Sequence, residues 1–198
     1  MTTHSSNNFE IIDITKDRSI DSLWFSTLEE ISQGSDKLKN NYKEIDLSMF
    51  ISFHVAVDQN KILGFSGLQY MPSRWGSKIA RCMSRFYLRP DFRHGYSLFQ
   101  KPLLTETVLP MQIRDAQAAD LDIVFMSREK GRSSFEKSID YLRSKNSMIN
   151  FSILDDRYNV CGCMEPIPES CKQYISIMYL NNFGKETWNL DMLKHRII

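Results

Sequence analysis

Glycine is scarce in this chain. Its 198 residues include eight glycines, against about 14 at average usage. Few positions are therefore left where the backbone can approach a ligand closely or turn left-handed without strain. Cysteine is scarce too: Cys82, Cys161, Cys163 and Cys171 are the only four, too few for a disulfide scaffold. No apolar run approaches the ~20 residues that cross a bilayer. Residues 1–8 are polar and lack the charged-then-apolar layout of a secretory leader. The expected setting is the cytoplasm, with reduced thiols and no membrane partner. Excess charge is also missing, since 25 Lys and Arg face 24 Asp and Glu for a net charge of +1. That balance argues against a dedicated nucleic-acid binder, whose affinity rests on many phosphate-neutralising cations.

What is present describes an ordinary globular chain. Hydrophobic residues make up 42% and charged residues 25%, and a chain of this length buries roughly 70% of its unfolded surface without a staple. We expect a disordered tail over residues 1–8 and one domain over 9–198, with no internal repeat and no linker.

Patterning predicts strands at 9–15, 54–57, 62–70, 79–88, 121–126, 148–154 and 174–180. Helices are expected after Asp17, Ser19 and Asp21, over 97–118, and after a cap at Ser133 or Ser134. Pro102 suits a first helical turn, whereas Pro110 is expected to kink the second helix. Asp58-Gln59-Asn60-Lys61 reads as a tight hairpin turn, because Asp and Asn tolerate left-handed geometry. One strand, one or two helices, three antiparallel strands and a further helix precede the remaining strands and the last helix. This order is not the alternating βαβα of a dinucleotide fold. The fold class is α/β (α+β): a mixed, mostly antiparallel sheet flanked by helices.

Ser84-Arg85-Phe86-Tyr87-Leu88-Arg89-Pro90-Asp91-Phe92-Arg93-His94-Gly95 closes the third strand of that meander and enters a loop. Together with the element order, it resembles the GNAT superfamily of acetyl-CoA-dependent N-acetyltransferases, from Phe9 to about Leu180. In that family a V-x-P-x-x-R-G-x-G-x-G pattern leads into a coenzyme-binding helix, and Arg93 falls on its Arg. The resemblance implies a single-domain GNAT-like fold with acetyl-CoA as co-substrate. It also implies a small-molecule or protein amine as acceptor, and coenzyme contacts from Phe86, Tyr87, Leu88, Arg93, His94, Gly95, Tyr96 and Ser97. The family's later glycines fall on Tyr96 and Leu98. Its helix-start tyrosine, which protonates the leaving thiolate, falls on Phe135. Segments 127–129 (SRE), 135–137 (FEK), 158–162 (YNVCG) and 171–174 (CKQY) resemble GNAT-like proteins of T4-like marine phages. A non-catalytic GNAT-fold binding or structural protein is the alternative.

The chemistry of such a loop stands apart from the family. Inward-pointing backbone N–H groups at a helix N-terminus attract phosphate, and a guanidinium adds a forked cation. Glu129 is the candidate base, acting through water; the other reading is a solvated member of Arg128-Glu129-Lys130. Tyr141 and Tyr158 are candidates for the missing acid. His54 reads either as a general base or as a core histidine satisfied by a neighbour. Arg81, Arg85 and Arg89, at strand spacing, are expected on one face, either against an anion or solvated among acids. Cys161-Gly162-Cys163 with Cys171 lacks the spacing of a zinc knuckle and has no nearby His. No metal is expected.

Overall fold

The structure is a computed structural model and describes residues 9–33, 45–71, 78–90, 106–128, 131–159 and 172–180. In chain order it contains β1 (Glu10–Asp13), α1 (Asp21–Gln33), a 3-10 turn (Leu47–Met49), β2 (Phe50–Asp58), β3 (Lys61–Met71), β4 (Ile79–Leu88), α2 (Leu109–Ala118), β5 (Ile123–Arg128), α3 (Arg132–Lys145), β6 (Ser152–Asn159) and β7 (Lys172–Tyr179). The strands form one sheet in the order β1-β2-β3-β4-β5-β7-β6. Only β4 and β5 run parallel; the other neighbouring pairs are antiparallel. The expected mixed, mostly antiparallel sheet with flanking helices is what forms. Among the described residues no helix is long and apolar enough to cross a membrane.

The central strands are buried on both faces, as their continuous apolar runs require. On one face Leu109, Ile113 and Ala116 of α2 and Phe135, Ile139 and Leu142 of α3 pack on Leu68, Ala80, Cys82 and Met126. On the other, Trp24 of α1 is 1% exposed over Phe53, Val55, Phe65 and Tyr87. Its ring meets Phe53 and Phe65 edge-on, with centroids 5.4 and 4.9 Å away, an arrangement the ring quadrupoles favour. Gly67 makes this layer possible. A Cβ there would lie 2.3 Å from Phe50 Cδ1 and 2.7 Å from Phe53 Cδ2.

Local chemistry sets the element ends. The β2–β3 turn places Gln59 at φ 43° and Asn60 at φ 66°, the left-handed pair of a two-residue hairpin loop between Asp58 and Lys61. Asp13 ends β1: its Oδ1 accepts from the N–H of Thr15 at 3.2 Å, from Thr15 Oγ1 at 2.7 Å and from the N–H of Phe53 at 2.9 Å. The closed end of the sheet is tied by Asp122. Its N–H donates to Lys78 O at 2.9 Å and its carbonyl accepts from Leu180 N at 3.0 Å.

Pro110 lies in the first turn of α2, directly after a wider π-helical turn at 106–108, and the earlier part of the expected helix, 97–105, lies outside the described residues. Two expectations fail. Ser133 and Ser134 lie inside the first turn of α3, which is instead entered from Gly131 at φ 78° with no side-chain cap. The last hairpin opens at Ser152 rather than 148, since buried Ile149 and Phe151 belong to the approach and not to the strand.

Candidate functional site

β4 runs ten residues, from Ile79 to Leu88 as expected, but its backbone is irregular. Gly64 pairs with Leu88 and Phe65 with Tyr87, then Gly67 with Ser84 and Gln69 with Arg81. Each of the last two steps advances two residues on β3 and three on β4, so β4 carries two bulges. Met83 at φ 55° and Arg85 at φ 54° mark them. Residues that share a face are therefore Arg81, Ser84 and Tyr87, spaced by three. Cys82 and Met83 both pack toward α2 and α3. The expected single face of Arg81, Arg85 and Arg89 does not exist, because an extra residue intervenes between Arg81 and Arg85.

Bulges bend a strand and increase its twist, and here they coincide with a split in the sheet. β4 pairs with β5 only at Ile79–Ile123, Ala80–Val124 and Arg81–Phe125. Beyond that point β4 stays with β3 to Leu88, and β5 stays with β7 to Arg128. Among the described residues no strand lies between them. A wedge thus opens toward the C-terminal ends of two parallel strands, the end where open α/β sheets bind ligands.

Buried polar groups lie near the point where the two strands part. The Met83 N–H, displaced by the bulge, donates to Gln112 Oε1 at 2.9 Å. Gln112 is fully buried, and its Nε2 donates to Ser66 Oγ at 3.2 Å. On β5, just past the last β4 pair, the Ser127 Oγ is buried without a hydrogen-bond partner. Such an orphan is costly unless a ligand or water satisfies it. Phe135, 6% exposed, shares a cluster with Cys82, Leu109 and Met126 on the helical face. Gln112 escaped the sequence reading, although a signal existed: it interrupts the apolar stripe of Leu109, Ile113 and Ala116. Replacing it by Leu should cost about 1–3 kcal/mol, because a buried N–H loses its acceptor. Urea unfolding checks this, and a loss under ~0.5 kcal/mol would contradict it.

The candidate residues distribute unevenly. Phe86, Tyr87 and Leu88 close β4 beside the wedge; Phe86 is 42% exposed, while Tyr87 and Leu88 are buried. Tyr87 stacks on Phe65 with centroids 4.9 Å apart. Arg93, His94, Gly95, Tyr96, Ser97, Glu129 and the cysteines at 161, 163 and 171 lie outside the described residues. Tyr158 stands on β6, with its side chain outside them as well. The Tyr141 hydroxyl on α3 donates to Glu106, just before α2. This bond, with burial and the carboxylate charge, raises the Tyr141 pKa. His54 stands on β2, with β3 between it and β4. Burial lowers its pKa, outweighing the attraction of Asp115 and Asp13, so the imidazole is neutral near pH 7. Burial also pushes the Cys82 thiol well above its ordinary range, which leaves it inert.

In this chain a bulged fourth strand parts from a parallel fifth within an α/β fold. Solved structures share the overall fold. A GNAT-family acetyltransferase from Streptococcus pneumoniae superposes with a TM-score of 0.53 at 11% identity, covering 88% of this chain and all of its own, 100%. A ribosomal-protein alanine N-acetyltransferase from Escherichia coli gives 0.52 at 11% identity, over 91% of this chain and 99% of that one. The NatC complex bound to Gag peptide and CoA gives 0.52 at 13%, over 87% and 98%. No protein-family profile and no curated protein matches the sequence. The chain has the fold of the GNAT acetyltransferases.

Proposed function

We propose that this protein is an acyl-coenzyme A-dependent N-acyltransferase, moving acetyl from acetyl-CoA to an amine of a small molecule or a protein. The observation that carries this reading is the split between β4 and β5 beyond Arg81 and Phe125. A wedge of this kind admits an extended, amide-bearing chain such as pantetheine alongside β4. The orphaned Ser127 hydroxyl belongs to β5 two residues past the last β4 pair. Phosphates would fall to the loop after β4, where Arg93, His94, Gly95, Tyr96 and Ser97 follow the strand in sequence. Likeness in fold to the NatC complex bound to Gag peptide and CoA supports the same ligand classes.

In the reaction the amine nitrogen attacks the thioester carbonyl carbon, a C–N bond forms, the C–S bond breaks and the thiolate leaves with a proton. The protein's part is to orient the amine, to remove its proton and to return one to sulfur. Glu129 is the proposed base, through water. Tyr158 is the proposed acid, Tyr141 being the weaker candidate because its hydroxyl already donates to Glu106, with Phe135 standing where the resemblance places a tyrosine. That same Phe135, with Tyr96 and Leu98 at glycine positions, favours the second reading, a GNAT-fold binding protein without catalysis.

Calorimetry with acetyl-CoA tests the proposal. The unaltered chain should bind it, and Arg93→Ala should weaken binding by about 1–3 kcal/mol, the range of a charge-assisted hydrogen bond. Thermal stability should rise with acetyl-CoA concentration by mass action. Absence of binding to the unaltered chain would overturn the transferase reading and leave the second one.

A further inference from the structure

Asp13, His54 and Asp115 come together from β1, β2 and α2, on the sheet face that α2 covers. Asp13 and His54 are directly opposed in the β1–β2 register. One ligand atom from each of the three lies within 4.8 Å of the others. His54 is 2% exposed, and its Nδ1 has no hydrogen-bond partner. Its Nε2 stands 3.3 Å from Asp115 Oδ2, a buried oxygen that also lacks a hydrogen bond. A buried imidazole and a carboxylate this close normally align to share a proton. Here they face one another without doing so.

We infer that Asp13, His54 and Asp115 form a binding site for a divalent transition-metal ion of the zinc type, separate from the β4–β5 wedge. The donor set, one imidazole nitrogen and two carboxylate oxygens, is one that zinc takes, with water as a fourth ligand. Donors about 2.0–2.1 Å from a tetrahedral ion are about 3.4 Å apart, close to the 3.3 Å between His54 Nε2 and Asp115 Oδ2. Access is from the carboxylate side, where the Asp115 and Asp13 side chains are 25% and 15% exposed. At present Lys16 Nζ sits 2.8 Å from Asp13 Oδ2, on a side chain that is 66% exposed. Its ammonium partly neutralises the pair of carboxylates, and an arriving cation would take its place. Bound there, the ion would tie β1 and β2 to α2, a structural role that needs no acyl transfer.

The test uses the full chain with zinc and with cobalt(II) as probes. One equivalent of zinc should bind by calorimetry and raise the melting temperature. Cobalt should show the intense visible bands of a tetrahedral ion. Asp115→Asn, at the partly exposed corner, keeps the shape and should weaken zinc binding at least about tenfold. Lys16→Met should strengthen it, since the competing ammonium is gone. Circular dichroism of both variants confirms that they are folded. Failure of the unaltered chain to bind one equivalent, or unchanged binding in Asp115→Asn, overturns the site; the second result would assign the ion to other histidines or cysteines of the chain.

Discussion

Trp24→Ala should remove about 3–5 kcal/mol of folding stability, the largest loss expected from a single truncation here. The indole is 1% exposed and touches two phenylalanine rings edge-on, so its deletion leaves a cavity bounded by Phe53 and Phe65. Domains of this size have roughly 5–15 kcal/mol in total, and each kcal/mol moves Tm by about 2–4 °C. A fall of about 6–20 °C is the expected reading. Phe25, its neighbour in α1, is 58% exposed, and Phe25→Ala should stay within about 0.5 kcal/mol. The contrast matters for function as well as stability. Phe65 stacks on Tyr87, so the Trp24 layer supports the last turn of β4 beside the wedge. Weaker acetyl-CoA binding by Trp24→Ala under conditions where it remains folded would link the two. A Trp24→Ala loss no larger than that of Phe25→Ala would show that the aromatic layer does not hold the fold.

The limits of β4 were legible in the sequence because an apolar-polar run meets Pro90, which cannot continue a strand interior. Its two bulges were not. Met83 and Arg85 take positive φ without being glycine, and nothing in a run of ordinary residue types announces such strain. The arginine face read at period two was therefore misplaced, although the strand was right. The mixed, mostly antiparallel character of the sheet followed from the element order; the strand order and the single parallel pair came from the structure. The split itself could not, since it depends on where pairing stops. Met148 to Leu154 shows the complementary limit. Ile149 and Phe151 are 2% and 0% exposed, yet burial is not pairing, and the strand proper is the more polar stretch from Ser152. Asp13, His54 and Asp115 meet only through the β1–β2 register and the docking of α2, so no local spacing could have joined them.

Phe135→Tyr should raise acetyl-transfer turnover by about 10²-fold or more, within the ~10²–10⁴ range of well-placed general acid help. The position opens α3, directly after β5 and the wedge, and its ring packs with Met126 and Leu109. Because Phe135 is only 6% exposed, the new hydroxyl should also cost about 1–3 kcal/mol of stability if it finds no partner. The two effects separate cleanly when turnover, acetyl-CoA affinity and melting temperature are measured on the same variant. Tyr141 is the weaker alternative donor. Its hydroxyl already donates to Glu106, and that contact raises its pKa, so Tyr141→Phe should leave turnover within a few-fold, about 1 kcal/mol in barrier. A folded Phe135→Tyr variant that binds acetyl-CoA without any gain would move the acid role to Tyr158 or solvent. The same variant with neither binding nor turnover would favour the non-catalytic reading, because a restored acid can only act on a coenzyme that the wedge still holds.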